Sequence, residues 1–138
     1  SRGLGDVYKR QIKVVLLEPG KLARTAEIGT SIEDLQNAVD GLIEPFYPFE
    51  EQVCIVCNDE GKINGMLPNR SVKNKDGVMV DFIFGPAFIC DCRGESFDSL
   101  SDEQIARYTK MFRYPEHLAR LNGKLIGIPF NPQREHER

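Results

Sequence analysis

At 138 residues, 41% apolar and 28% charged, the chain has the composition of one ordinary globular domain. That length buries a core without help from a disulfide or metal. A formal charge of −3 excludes a general attraction to phosphate backbones, which needs a concentrated basic surface, and no apolar run approaches the ~20 residues of a membrane-spanning helix.

Residues 1–11 show neither helical nor strand periodicity, and Asp6-Val7-Tyr8-Lys9-Arg10-Gln11 resembles the in-frame translation of a sequencing-library adapter. Such segments are kept out of fold reasoning. The expected organisation is a non-native leader over 1–11, a single domain over 12–130 and a flexible tail over 131–138. The leader carries Arg2, Lys9 and Arg10 against Asp6, so without it the formal charge falls from −3 to −5. That value is neither a basic surface nor the dense acidity of a DNA mimic. No basic, apolar secretory leader is visible, and four cysteines without one read as reduced thiols in a cytosol.

Residues 12–18 form an apolar run that predicts a largely buried strand. Pro19-Gly20 supplies a type II turn, and the alternation over 22–28 predicts a second, less buried strand. Thr30-Ser31-Ile32-Glu33 has the hydroxyl-x-x-Glu capping pattern. Ile32, Leu35, Ala38 and Val39 follow at helical spacing, with Gly41 where a left-handed cap belongs. Pro45 and Pro48 make the strand after Gly41 short, irregular or peripheral. Residues 53–57 (Val-Cys-Ile-Val-Cys) predict a buried strand and 58–62 its exit turn. The stretch 63–70 reads as an irregular connection and 72–77 as a polar loop tip. Residues 81–85 fit either a strand or one helical turn, and 86–92 a strand. Ser101-Asp102-Glu103-Gln104 opens a second helix with a capping box and an acidic first turn. Its stripe is Ile105, Tyr108, Met111 and Phe112, and it stops before Pro115. A helical turn over 115–121 and a last short strand over 124–129 complete the chain. The fold class is therefore α+β, a mainly antiparallel sheet of about five to six strands with two helices packed on one face. Ile55 and Phe88 fall at its centre.

The order of several short segments carries a family resemblance. They are residues 14–21 (Val-Val-Leu-Leu-Glu-Pro-Gly-Lys), 35–41, 57–62 (Cys-Asn-Asp-Glu-Gly-Lys), 68–70 (Pro-Asn-Arg), 81–88 (Asp-Phe-Ile-Phe-Gly-Pro-Ala-Phe) and 100–104. In this order the chain resembles the domain-of-unknown-function family DUF3846, which occurs in bacteria, their phages and mobile genetic elements. The resemblance spans about residues 12–112. It implies a compact domain in mobile-element neighbourhoods and transfers no catalytic residue.

Among polar residues, Asn69, Arg70 and Asp81 stand out. Arg70 can present a fork of donors to a carboxylate or phosphate, and Asn69 and Arg70 would line a binding groove if one exists. The structural alternative pairs Arg70 with Asp81 or with backbone carbonyls. Phe46, Tyr47 and Phe49, set between prolines, form either a contact patch or packing over the sheet end. An exposed edge there would also admit a partner strand. Cys54-x-x-Cys57 and Cys90-x-Cys92 would have to converge to hold zinc, but residues three apart on a strand face opposite ways, so no metal is assigned. Residues 58–61 lack the ligand alternation of a calcium loop. His117 and His136 sit in no nucleophile–base setting, and no cofactor motif is present. The leading reading is a non-enzymatic, cytoplasmic protein-interaction module of a phage or mobile element, with an unknown protein partner. A nucleic-acid-binding accessory domain using Arg70, Lys73 and Lys75 is the first alternative. An enzyme with an unrecognised carboxylate or thiol site is the second.

Overall fold

The computed structural model describes residues 10–136. The first nine residues of the expected leader, and the last two of the expected tail, lie outside that span. The strands are β1 (Gln11–Leu17), β2 (Arg24–Gly29), β3 (Ile43–Phe46), β4 (Val53–Asn58), β5 (Pro68–Lys73), β6 (Met79–Phe84), β7 (Ala87–Asp91), β8 (Glu116–Leu121) and β9 (Lys124–Pro129). The helices are α1 (Ile32–Val39), α2 (Asp102–Met111) and the short α3 (Pro132–His136). Five strands make one antiparallel sheet in the order β2-β1-β7-β4-β3, and β5–β6 and β8–β9 form two separate hairpins. The fold is α+β and mostly sheet.

The centre of the sheet explains its layers. β4 and β7 are apolar at nearly every position, and both faces of these strands are buried. On one face Ile12, Val14, Cys54, Val56, Phe88 and Cys90 pack under Leu35 and Val39 of α1. On the other, Val15, Leu17, Val53, Ile55, Ala87 and Ile89 pack under Tyr108 of α2, Phe112, and Val72 and Ile83 of the β5–β6 hairpin. Ile55 and Phe88 are both fully buried. The two helices thus lie on opposite faces, which corrects their expected placement on one face. The physical reason is already present in the strands: a run apolar on both sides needs a layer on each side.

Local signals held with small shifts. Ser31, rather than Thr30, caps α1, its Oγ accepting from Asp34 N at 3.1 Å. Asp40 (φ 60°) is the left-handed residue at its end. The carbonyls of Val39 and Asp40 there accept from Asn58 Nδ2 at 3.0 and 3.1 Å. A Cβ at Gly41 would come within 2.6 Å of that same amide nitrogen, so only glycine admits the contact. β3 is an edge strand, the position that Pro45 within it calls for. Residues 68–73, expected as part of an irregular connection and loop tip, are strand β5, bulged at two points against β6. Residues 116–121, expected as a helical turn, are strand β8. Asn122 (φ 52°) and Gly123 (φ 81°) both take positive φ, the demand of the type I′ turn that closes a two-residue hairpin. Pro132–His136 is one short helix within the expected tail.

Candidate functional site

A groove of about 780 Å³ opens on the α2 side of the sheet, walled by residues 48–51, the end of β5 with its following turn, and one side of α2. α2 is held in register by a full capping box. Ser101 Oγ accepts from Gln104 N at 3.1 Å, and Gln104 Oε1 accepts from Ser101 N at 2.9 Å. Helical spacing then turns Arg107, Tyr108 and Met111 towards the groove. The Phe49 ring sits 4.7 Å from that of Tyr108 and 6.2 Å from that of Phe112. Met111 remains 56% exposed beside them, so the floor is apolar and partly open.

The polar groups of the groove are largely engaged. The Glu51 carboxylate accepts from Gln104 Nε2 at 3.0 Å, from Arg107 Nη1 at 2.6 Å and from the Tyr108 hydroxyl. Arg107, then Tyr108, hold its carboxyl down to about 2. Burial raises the Tyr108 hydroxyl, and Glu51 raises it further. Lys75 Nζ lies 3.2 Å from Glu50. Glu116 Oε1 accepts from the backbone N–H of Ser71 at 2.9 Å. Among the described residues, Lys73 is an exposed groove cation with neither a carboxylate in ion-pair range nor a side-chain hydrogen bond, whereas Arg70 also lacks a carboxylate but is engaged by carbonyl oxygens.

Arg70 forms part of the groove's base and is 1% exposed. Its Nε donates to Phe112 O at 2.6 Å. Nη1 donates to Glu18 O at 3.1 Å and Asn69 Oδ1 at 2.6 Å. Nη2 donates to Lys21 O at 2.6 Å and Arg113 O at 3.4 Å. All five donors of the guanidinium are therefore taken. Burial pushes Arg70 down to about 10, leaving it protonated at neutral pH. Asn69, fully buried, donates to Leu17 O at 2.9 Å and Gly85 O at 2.8 Å. The pair clamps the β1–β2 connection and the end of α2 to the hairpin. Asp81 does not join them. It stands opposite Val72 and pairs with Lys62 at 2.8 Å, beside a separate small cavity of about 200 Å³.

The aromatic trio divides. Phe46 and Phe49 pack on the core, and Tyr47 is 63% exposed. The edge of β3 is poorly suited to strand addition. Asp59 N donates to Leu42 O, so the alternation of the ladder turns position 45 outward. Pro45 has no N–H to offer there. The cysteines divide as well: Cys54 and Cys90 face each other across β4–β7 with sulfurs 3.8 Å apart. Cys92 packs against the same cluster. Cys57 points to the opposite face, its Sγ donating to Glu44 O at 3.5 Å. Burial pushes the Cys57 and Cys92 thiols each up to about 11. Four thiols so divided do not build a tetrahedral site, and among the described residues no group of three or more His, Cys, Asp or Glu is placed to hold a metal. His117 stacks on Phe130 at 4.0 Å.

The sequence reading missed Glu51, Arg107, Glu116 and the groove role of Tyr108 and Met111. The helical stripe flagged the last two as core. Nothing local ties Glu51 to a tyrosine 57 positions later.

A family model described as a domain of unknown function, DUF3846, matches residues 12–113. The chain belongs to this family. The match contains the sheet, α1, α2, the Asn69–Arg70 clamp and most of the groove wall, whereas Glu116 and the β8–β9 hairpin lie beyond it. No curated protein and no solved structure matches this DUF3846 domain. Among its described residues no helix is long and apolar enough to cross a membrane.

Proposed function

We propose that this DUF3846 domain is a protein-interaction module of a phage or mobile genetic element, and that the groove between α2 and β5 is where it takes a segment of its partner. The observation that carries this reading is the groove's composition: a partly open apolar floor of Phe49, Met111 and Phe112 under a rim whose charged groups are mostly paired already. An apolar floor with a few fixed polar groups suits recognition. Catalysis would call for a nucleophile and base held in mutual reach, and the strongest ionic cluster here, Glu51 with Arg107 and Tyr108, is a closed set of hydrogen bonds.

The nucleic-acid reading rested on Arg70, Lys73 and Lys75. Arg70 is saturated by carbonyls and Lys75 is paired with Glu50. That leaves one lysine, too little for backbone binding.

The test is selection of a random dodecapeptide display library on the full chain, followed by titration of a selected peptide into wild type and Met111→Glu. Met111 is exposed, so a carboxylate there leaves the fold intact while charging the floor. The expected result is loss of binding by Met111→Glu. Equal binding by the two proteins would place the site elsewhere and overturn the proposal.

A further inference from the structure

We infer that the segment taken by the groove is an extended strand that pairs with the groove-side edge of β5 at Lys73, displacing Glu116 from the Ser71 N–H, and carries an apolar residue beside a carboxylate. This rests on the groove being the binding site and adds the backbone geometry and chemistry of its occupant.

Three observations support it. The first is the edge itself. Asn74 N donates to Val78 O at 2.9 Å, across the hairpin. Strand alternation then turns the N–H and C=O of Lys73 away from β6, and Ser71 is turned the same way. Both residues border the groove. The second is Glu116. Its Oε1 accepts from the Ser71 N–H at 2.9 Å, the place a neighbouring strand's carbonyl would take. The chain's own carboxylate thus occupies a strand-pairing position in the absence of a strand. The third is complementarity. Lys73 has no carboxylate partner among the described residues, whereas Glu50, Glu51 and Glu116 are each engaged. An acidic group on the incoming segment meets an unpaired ammonium, and an adjacent apolar side chain meets Met111, Phe49 and Phe112. Backbone pairing supplies affinity and alternate side chains supply selectivity, the usual division of labour in strand addition.

The experiment uses the display-selected dodecapeptide and the full chain. Lys73→Pro removes an outward N–H without touching the β5–β6 ladder, and Lys73→Arg keeps both N–H and charge. Binding should weaken at least about tenfold in Lys73→Pro, which loses one backbone hydrogen bond and the ammonium together, by less in Lys73→Gln, which loses the charge alone, and stay unchanged in Lys73→Arg. Independently of how Lys73→Pro folds, peptides N-methylated at successive single positions should lose affinity at alternate residues only. The selected consensus should place Asp or Glu next to an apolar residue. If a peptide binds in the groove, sensitive to Met111→Glu, but tolerates N-methylation everywhere, strand pairing is wrong while the groove reading stands. If no peptide binds in the groove, both fail.

Discussion

Arg70 shows how a residue type suited to recognition is used for construction. Its five donors meet four backbone carbonyls and the Asn69 amide oxygen, so it joins the β1–β2 connection to the end of α2 through one planar fork. Arg70→Ala should cost about 3 kcal/mol or more, because the buried carbonyls lose their partners. Arg70→Lys should recover only part, since an ammonium has three donors and no fork. Urea unfolding checks this: the midpoint falls with little change in slope. An unchanged midpoint would show that the clamp is not structural. Glu51 makes a second residue-scale test. Its carboxyl is held at about 2, below the ordinary 4.5, so its hydrogen bonds to Arg107, Tyr108 and Gln104 favour the folded state fully above about pH 4.5. That contribution is lost as pH falls from there through about 2. Glu51→Gln should therefore be less stable than wild type at neutral pH, and the gap should close in acid. A gap independent of pH would deny the carboxylate this role.

At the scale of elements, the edges and turns decide what stays open. Pro45 removes the outward donor of β3, which blunts that edge of the sheet, whereas β5 keeps an outward edge at Lys73 beside a cavity. The β8–β9 hairpin supports this arrangement by delivering Glu116 to Ser71. Its turn depends on Gly123 at φ 81°, a conformation that costs an L-residue about 1–2 kcal/mol. Gly123→Ala should destabilise the protein by about 1 kcal/mol, read by thermal or urea unfolding, with the loss concentrated in the hairpin's amide protection. Full retention of that protection would argue against the type I′ turn. This hairpin was legible in principle, because Asn122-Gly123 lies between two runs of six and is a two-residue hairpin signal, although the expectation for 115–121 was a helical turn. α1 and α2 were legible because their caps are local: Ser31 and Ser101 act within three residues of themselves.

For the whole molecule, the strands at the centre were legible as apolar runs, and the burial of Ile55 and Phe88 follows from them. The side on which each helix lands was not spelled out by its own stripe. It is set by what the sheet leaves uncovered: Cys54, Val56 and Phe88 on one face, and Val53, Ile55 and Ile89 on the other. The groove was the least legible feature. It joins Phe49 and Glu51, the end of β5, and Tyr108 and Met111, residues that meet only once α2 lies over the second face. Asn69 and Arg70, expected to line a groove, are turned inward by their placement in the fold. The central claim is that this groove is the protein's contact surface. Backbone amide shifts recorded during titration with a display-selected dodecapeptide test it most directly. The account predicts that the largest changes fall on Phe49, Ser71, Lys73 and Met111, and changes centred on α1 and the opposite face of the sheet would contradict it.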